Sequence, residues 1–517
     1  MGYSSAVRGH AAFIPLTTLS PFFTTPPSEA PTSTSANPHA LINLWKCYTN
    51  ADDTGIISST LLHLSSSLSP SSPPIELPSF SKSLITSSTS FAALLVSPLS
   101  GHLADTHGRK PAIYVADILF VIGALWQAAS RSVVSMVVGR FIVGLGIGVG
   151  SGVVPMYIAE LAPAAYRGRL TTLYTGCITF GQLVAYAVGW WTSSVFSEGI
   201  GWRVGVGLGA FPALVQAVGL LWQPESPRWL VMQGRTKEAR EVLRRVLSDG
   251  SDDDAIVERL VDFRIREISS AVTMAHSLPR KGSVLLAKFM DLWHDKQGYK
   301  ALLVVCMLQG LQQFCGFNSV MYFSATIFAM IGFENPTATS MLVAGTNLMF
   351  TFVAFGLIDR VGRRRILLAS IPGMVLGLLL SAFAFAHMDI SLHRMTGDTG
   401  TNMLRRTPPP YAVLILLSLT LYVASYALGI GTVPWTAQSE IFKMEHRGLG
   451  NGIATAVNWA GNFLVGITFL GLLETLGGAT VFLAYAVVCA AGWVGVRKYF
   501  GERGGRELEE EVDEEEN

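Results

Sequence analysis

The chain has 517 residues, of which 50% are hydrophobic and only 14% are charged, and its formal net charge is +1. A soluble domain carries roughly 25% charged residues, so the low charge and long apolar runs favour a polytopic membrane protein over a set of soluble domains. A net charge this small gives no large basic field for nucleic acid, and the five cysteines lack metal-ligand spacing.

The N-terminal tail, residues 1–40, is rich in Ser, Thr and Pro and is predicted to be disordered. It lacks the basic start, apolar run and cleavage site of a signal peptide, so none is predicted. The next segment, 41–64, is a poor candidate for a membrane span because Lys46, Asp52 and Asp53 interrupt it.

Eleven further segments are long and apolar enough to cross a bilayer, which takes about 20 residues. They lie near 83–104, 112–130, 133–158, 169–191, 203–223, 300–324, 338–358, 366–387, 411–432, 449–471 and 477–496. Together with segment 41–64 they predict about twelve transmembrane helices.

Short charged turns recur between the spans, and one pattern occurs twice. Residues Gly101–Lys110 and Gly356–Arg365 both contain D-x-x-G-R followed by Lys or Arg, each after an apolar stretch. A duplicated turn in a membrane chain indicates two repeated halves, which are common in transporters. The basic turns fall in alternate loops, so the positive-inside rule makes that side cytoplasmic, and an even number of spans places both termini there.

The segment between the two sets of spans, 224–298, is charged and has Leu and Val at helical spacing. It is predicted to form short amphipathic helices on the cytoplasmic side. The chain then divides into an N-terminal six-helix bundle at 41–223, this linker, and a C-terminal six-helix bundle at 299–500. The acidic end, 501–517, is predicted to be a solvated cytoplasmic tail.

Acidic and basic residues are paired where spans enter the cytoplasm. Glu160 precedes Arg167 by the same interval as Glu440 precedes Arg447. The positive-inside rule explains the arginines but not the acids, so we interpret these charges as ion pairs that can form across the halves and hold the cytoplasmic side shut. The predicted cytoplasmic gate comprises Asp105, Arg109, Glu160, Arg167, Glu225, Arg228, Asp359, Arg363, Glu440 and Arg447.

Amide side chains lie within several otherwise apolar spans. An amide donates and accepts hydrogen bonds, so it can pair with the hydroxyls of a sugar or polyol in either sense. The alternative is that these amides join helices to one another, which typically contributes ~0.6 kcal/mol each. The candidates are Gln182, Gln312, Gln313, Asn318, Asn347 and Asn458.

A glycine run in the span 133–158 could suggest a nucleotide-binding loop. No strand precedes it, and Gly144, Gly148 and Gly152 recur on one helical face. The run therefore predicts close packing between helices.

Three features together are very specific: the repeated D-x-x-G-R turns, P-E-S-P-R at Pro224–Arg228, and Q-Q-F-C-G-F-N at Gln312–Asn318. They resemble the sugar porter family of the major facilitator superfamily over about residues 52–496. The segments that look most like the fungal proton-coupled myo-inositol transporters are 116–120, 345–350, 434–435 and 458–462. The resemblance implies an all-α membrane protein with the major facilitator fold, two six-helix bundles and a cytoplasmic helical linker.

The resemblance also implies roles for individual residues. Asp53 matches the first-span position that carries the proton-coupling carboxylate in family symporters, and Arg140 matches the family's buried arginine. A nearby arginine favours the charged carboxylate and burial favours the protonated one, so Asp53 can load and release a proton. The implied substrate site consists of the six amides and Trp435, whose ring offers a flat apolar face to a sugar or cyclitol.

The chain departs from the family pattern in two informative places. Residues 46–52 read K-C-Y-T-N-A-D where the family has an apolar run ending in aromatic residues, which leaves coupling through the first span open. Thr436 and Ala437 stand where inositol-like relatives usually have another glutamine, which leaves the polyol specificity open.

These features predict a secondary active transporter, and not an enzyme, that imports myo-inositol or a hexose with a proton by alternating access. The expected partners are the sugar or polyol and the lipid bilayer, with no nucleic acid, no metal and no cofactor besides the proton. The protein is expected to be a multi-pass protein of the plasma membrane that works as a monomer. The alternatives are a facilitative uniporter, if Asp53 lies outside the bundle, and a nutrient sensor that binds without transporting.

Overall fold

The computed structural model describes residues 55–64, 77–162, 164–247, 254–277, 284–388, 410–442 and 447–501. The N-terminal half contains α1 (55–63), α2 (Ser79–His107), α3 (Arg109–Ala129), α4 (Val133–Leu161), α5 (Ala164–Val195), α6 (Glu198–Leu208) and α7 (Ala210–Leu220). The linker contains α8 (Pro227–Met232), α9 (Thr236–Leu247), α10 (Asp254–Ser277) and α11 (Val284–His294). The C-terminal half contains α12 (Lys296–Phe314), α13 (Phe317–Met330), α14 (Pro336–Val361), α15 (Arg363–His387), α16 (Pro410–Leu428), α17 (Val433–Ile441) and α18 (Arg447–Tyr499).

Nine segments of the described residues are helical, long and apolar enough to cross a membrane. The last of them, Gly448–Tyr499, holds two predicted spans, because the backbone of α18 leaves helical geometry at Gly477, where φ is 76°. α5 carries the predicted span 169–191, although it is not one of the nine. The predicted all-α membrane architecture is confirmed. Of the first candidate span, 41–64, only residues 55–64 are described, and the tail 1–40 lies outside the described residues, as does 501–517 beyond Gly501.

The repeated charged turn has the same backbone structure in both halves. Gly108 joins α2 to α3 with φ of 103°, and Gly362 joins α14 to α15 with φ of 90°. Each glycine donates its N–H to the preceding helix, Gly108 to the Ala104 carbonyl at 3.1 Å and Gly362 to the Ile358 carbonyl at 3.2 Å. L-residues rarely adopt this φ, so the sequence repeat corresponds to a repeated helix–glycine–helix turn.

The glycine face of α4 packs directly on α2. A Cβ at Gly144 would lie 2.3 Å from the Thr89 carbonyl oxygen, and one at Gly148 would lie 2.9 Å from the Ala93 carbonyl oxygen. These distances leave no room for a side chain, so the prediction of close helix packing is confirmed.

The two halves meet along α2 against α18 and along α5 against α14. Within the linker, α9 packs on α10 through Leu243, Val257 and Val261, which are all buried. The described parts of the linker are thus mainly helical. Two of the polar residues in the spans, Gln182 and Asn347, meet at the interface between the halves.

Candidate functional site

Residues implied to bind substrate lie beside an interruption in a helix of the C-terminal half. α12 ends at Phe314 and α13 begins at Phe317. Gly316 between them has φ of 87°, and a Cβ there would lie 2.5 Å from the ring of Tyr485. Both the conformation and the contact require glycine. The span therefore bends between Q-Q and the asparagine of the Q-Q-F-C-G-F-N motif.

A second interruption lies between α16, which ends at Leu428, and α17, which begins at Val433. Carbonyl oxygens at a helix end have no partner in a following turn. Two of them, from Ile430 and Gly431, accept hydrogen bonds from Nε2 of Gln312 at 2.8 and 3.2 Å. Interrupted helices of this kind form midplane sites in transporters.

Six amides form one hydrogen-bonded group, which we call the amide cluster: Gln309, Gln312, Gln313, Asn318, Gln438 and Asn458. Asn458 lies at its centre, and its Nδ2 donates to Oε1 of Gln309 and to Oε1 of Gln312, each at 2.7 Å. Oδ1 of Asn458 accepts from Nε2 of Gln313 at 2.9 Å, and Nδ2 of Asn318 donates to Oε1 of Gln313 at 2.6 Å. The structure thus brings four of the predicted amides together.

Gln309 and Gln438 are members that the sequence analysis missed. Nε2 of Gln309 donates to Oε1 of Gln438 at 2.6 Å, and Nε2 of Gln438 donates to Oγ1 of Thr455 at 3.1 Å and to the Asn451 carbonyl at 3.3 Å. Gln309 precedes Gln312 by one helical turn, so its spacing could have identified it. No local pattern shows that Gln438, on another helix, meets it.

The other two predicted amides form a bond between the halves. Nδ2 of Asn347, on α14, donates to Oε1 of Gln182, on α5, at 2.9 Å, and both side chains are buried. Trp435 follows Pro434 in the first turn of α17 and is half-buried. Its contact with substrate stays a prediction.

Arg140 is 1% exposed and lies in the N-terminal third of α4. Its guanidinium donates to the Ile85 carbonyl at 2.5 Å, to the Thr86 carbonyl at 3.3 Å and to Oγ1 of Thr89 at 3.2 Å. Its predicted partner Asp53 lies outside the described residues. An arginine buried inside a membrane span is costly and is a functional candidate for that reason.

The charged turn after α2 carries a buried ion-pair network. Arg109 is 2% exposed, and its Nε and Nη2 donate to the two carboxylate oxygens of Glu160 at 2.9 Å each. Nη1 of Arg109 lies 3.0 Å from Oδ1 of Asp105 and donates to the Ala104 carbonyl at 3.0 Å. The two-pronged geometry is the strong form of an arginine–carboxylate pair.

Glu225 ties the start of the linker to the same network. Its carboxylate accepts from the backbone N–H of Arg109 at 3.0 Å and of Lys110 at 3.1 Å, at the N-terminus of α3. Oγ of Ser226 donates to Glu160 at 2.5 Å. The positive end of a helix dipole stabilises a carboxylate in this position.

The pairs among Asp105, Arg109 and Glu160 differ from the expected pairing across the halves. α2, α3 and α4 are neighbours in the N-terminal half, so these three residues meet inside that half. Arg228 is exposed and Arg363 is half-buried. The other predicted gate residues, Arg167, Asp359, Glu440 and Arg447, have side chains outside the described part of the structure.

On the predicted extracellular side, a group of hydroxyls joins the halves, and the sequence analysis missed it. Tyr186 on α5 donates to the Met321 carbonyl, and its hydroxyl lies 3.1 Å from Oγ of Ser324 on α13. Ser324 in turn lies 3.1 Å from Oγ of Ser58 on α1. Serine and tyrosine are unremarkable in single spans, so only the fold identifies this group. Within the described ranges, no three His, Cys, Asp or Glu side chains form a candidate metal site.

The family of the chain follows from comparison of the whole sequence. Residues 11–514 match the family described as sugar (and other) transporter. The chain belongs to the sugar transporter family. The predicted membership of the sugar porter family is therefore confirmed, and this is a family of transporters, not of enzymes.

This sugar transporter is similar in sequence to fungal myo-inositol transporters. It is 41% identical over 457 residues to Myo-inositol transporter 2 of Schizosaccharomyces pombe, covering 88% of this chain and 77% of that protein. It is 40% identical over 463 residues to Myo-inositol transporter 1 of Candida albicans, covering 89% and 80%. Among solved structures, the proton:xylose symporter XylE bound to 6-bromo-6-deoxy-D-glucose is 25% identical, with a TM-score of 0.72 and coverage of 90% of this sugar transporter and 96% of that chain.

Proposed function

We propose that this sugar transporter imports a polyol or sugar together with a proton by alternating access, with myo-inositol as the favoured substrate and a hexose next. The amide cluster supports a neutral, hydroxyl-rich ligand, because its polar groups are uncharged donors and acceptors. The similarity to fungal myo-inositol transporters supports a cyclitol among such ligands.

The observation that carries the proposal is a pair of buried amides, Gln182 and Asn347, that lies between the two halves. The Gln182–Asn347 hydrogen bond crosses the interface, so a ligand bound by amides of both halves responds to their relative movement. A midplane site between repeated halves is the arrangement that alternating access requires.

The described contacts fit an inward-facing state. Hydrogen bonds that cross between the halves, such as Ser58–Ser324 and Tyr186–Met321, lie at the midplane or on the predicted extracellular side. In the proposed cycle these bonds break when the protein opens outward, and the charge network around Arg109 adjusts as the cytoplasmic side closes.

We assign proton coupling to Asp53 and Arg140. Arg140 is buried in α4, and α1, which begins two residues after Asp53, lies against α5, since a Cβ at Gly55 would be 2.7 Å from Cβ of Ala185. At −100 mV one proton gains about 2.3 kcal/mol from the membrane field, enough for a substrate concentration ratio of roughly 50. The proton is the proposed coupling ion, and no other cofactor is part of the proposal.

The same proposal places the protein in the plasma membrane, with both termini in the cytoplasm, working as a monomer surrounded by lipid. The basic turns, as in the sequence analysis, support this orientation through the positive-inside rule.

Uptake of labelled myo-inositol and of labelled glucose tests the proposal, in cells that express the full chain at about pH 5 and about pH 7.5. We expect faster myo-inositol uptake in acid, loss of that uptake in Asp53→Asn, and its retention in the matched variant Asp52→Asn. Uptake that is the same at both pH values and is unchanged in Asp53→Asn would indicate a facilitative uniporter. Protein at the surface that binds myo-inositol without uptake would indicate a sensor.

A further inference from the structure

Two amides of the amide cluster, Gln309 and Gln438, lie behind the residues implied to contact substrate. Gln309 is fully buried and Gln438 is 6% exposed. We propose that Gln309 and Gln438 are positioning residues, which together with Gln312 make Asn458 present only a hydrogen-bond acceptor to the substrate. The inference rests on the proposed function, because it concerns the specificity of the same site.

The direction of the hydrogen bonds begins at backbone carbonyls. Nε2 of Gln438 meets the Asn451 carbonyl at 3.3 Å, and Nε2 of Gln312 meets the carbonyls of Ile430 and Gly431 at 2.8 and 3.2 Å. A carbonyl oxygen can only accept, so the nitrogen end of each glutamine must face it. The oxygen end of each glutamine must then face the cluster.

The fixed direction passes from Gln438 and Gln312 to Asn458. Because Gln438 turns Oε1 inward, Gln309 must donate its Nε2, and it does so at 2.6 Å. Gln309 then turns its own Oε1 to Asn458, which donates at 2.7 Å. Gln312 turns Oε1 to the same Nδ2, also at 2.7 Å. Both routes require the same orientation of the Asn458 amide, so they reinforce each other.

Counting hydrogens shows what is left for a ligand. A primary amide nitrogen has two hydrogens. Those of Asn458 go to Gln309 and Gln312, and those of Gln312 go to the carbonyls of Ile430 and Gly431. Both amides have spent their donors, whereas each side-chain oxygen accepts one described bond, Oε1 of Gln312 from Asn458 and Oδ1 of Asn458 from Gln313. A substrate atom that meets them must therefore donate.

This arrangement selects a hydroxyl group over any group of similar size that cannot donate. A fluorine replaces a hydroxyl with little change in shape but has no hydrogen, so it would meet an acceptor with no bond. Loss of Gln309 frees one hydrogen of Asn458, which can then turn to the ligand. The selection should weaken without loss of the rest of the site.

Competition by monodeoxy-monofluoro derivatives of myo-inositol tests the proposal in cells that express the full chain. Each unlabelled derivative competes with labelled myo-inositol for uptake. If the wild type takes up glucose instead, unlabelled fluoro-deoxyglucoses compete with labelled glucose. We expect one derivative to compete at least about tenfold less well than the parent in the wild type, and the difference to fall to within about threefold in Gln309→Met. Gln438→Met should give a smaller change, and the double variant should match Gln309→Met because Gln438 acts through Gln309.

The matched control is Gln216→Met, which removes another buried amide, on α7 of the N-terminal half, and should leave the discrimination unchanged. In acid, Gln309→Glu should discriminate against the fluoro derivative as the wild type does. A protonated carboxyl can both donate to Gln438 and accept from Asn458, as Gln309 does. The proposal would be overturned if Gln309→Met still takes up substrate and discriminates between the fluoro derivative and the parent compound as the wild type does. If Gln309→Met does not reach the cell surface, the same result in Gln438→Met would overturn it. Wild-type uptake of neither probe would overturn the proposed function, and the substrate role of these amides with it.

Discussion

Arg109 is held in place by hydrogen bonds to the backbone as well as by ion pairs. Its guanidinium reaches Glu160, Asp105 and a backbone carbonyl, while its own N–H binds Glu225. The Glu160 side chain is only 9% exposed, and in the described residues its charge is paired with this arginine. One residue therefore joins α2, α3, α4 and the start of the linker, and its loss leaves a buried carboxylate unpaired.

We predict that Arg109→Ala lowers the free energy of unfolding by roughly 3–5 kcal/mol, because Glu160 stays buried without its partner. The measurement is the thermal midpoint of the protein purified in detergent. Arg235→Ala is the control, since Arg235 pairs with Glu238 where both side chains are at least half exposed, and it should change the midpoint little. Equal losses in the two variants would contradict the account of the Arg109 network.

At the residue scale, the sequence identified the kinds of side chain but not their pairings. It identified Gln312, Gln313 and Asn458 as polar residues in apolar spans, and they do meet. It placed Arg109 and Glu160 in ion pairs across the halves, whereas they pair inside one half. Which spans are neighbours is decided by tertiary packing, and a single sequence contains no direct record of it.

Among the elements, α4 shows how a small side chain controls a functional contact. Its glycine face lets α2 approach closely, and Thr89 on α2 then accepts a hydrogen bond from Arg140 on α4. The close packing of α2 against α4 therefore also positions the buried arginine.

We predict that Gly144→Ala lowers both stability and uptake, because its Cβ would lie 2.3 Å from the Thr89 carbonyl and would force the helices apart. Overpacking of this kind costs typically about 1–3 kcal/mol. The thermal midpoint and myo-inositol uptake measure the effect. Gly471→Ala on α18 is the control, since a Cβ there has no atom within 4 Å. Normal uptake and stability in Gly144→Ala would contradict the packing argument.

At the scale of elements, much of the structure could be predicted. Apolar length located the spans, and the repeated D-x-x-G-R turn located two of the positive-φ glycines, Gly108 and Gly362. The interruption between α16 and α17 was not predicted, because 411–432 is continuously apolar. Gln312, on another helix, stabilises the interruption by satisfying the carbonyls of Ile430 and Gly431.

For the molecule as a whole, the side-chain hydroxyls of Tyr186, Ser58 and Ser324 form a cluster that links the halves on the predicted extracellular side. These bonds exist in the state described, and in the proposed alternating-access cycle they break when the protein opens outward. Removing one of them should therefore favour the outward-facing state.

We predict that Tyr186→Phe lengthens the distance between spin labels at Phe196 and Glu334, which are exposed positions on the two halves near that side. The labels are attached to cysteines in a background without the native cysteines. Tyr114→Phe is the control, because the buried Tyr114 hydroxyl has no hydrogen-bond partner among the described residues. An unchanged distance distribution in Tyr186→Phe would show that this group does not hold the halves together.

Proteoliposomes test whether substrate and proton cross the membrane together. Vesicles containing the purified protein and a pH-sensitive dye receive myo-inositol on the outside with no initial pH gradient. We expect the lumen to acidify in step with myo-inositol uptake in the wild type and in Asp52→Asn, but not in Asp53→Asn. Uptake of myo-inositol with no acidification of the lumen would contradict proton coupling.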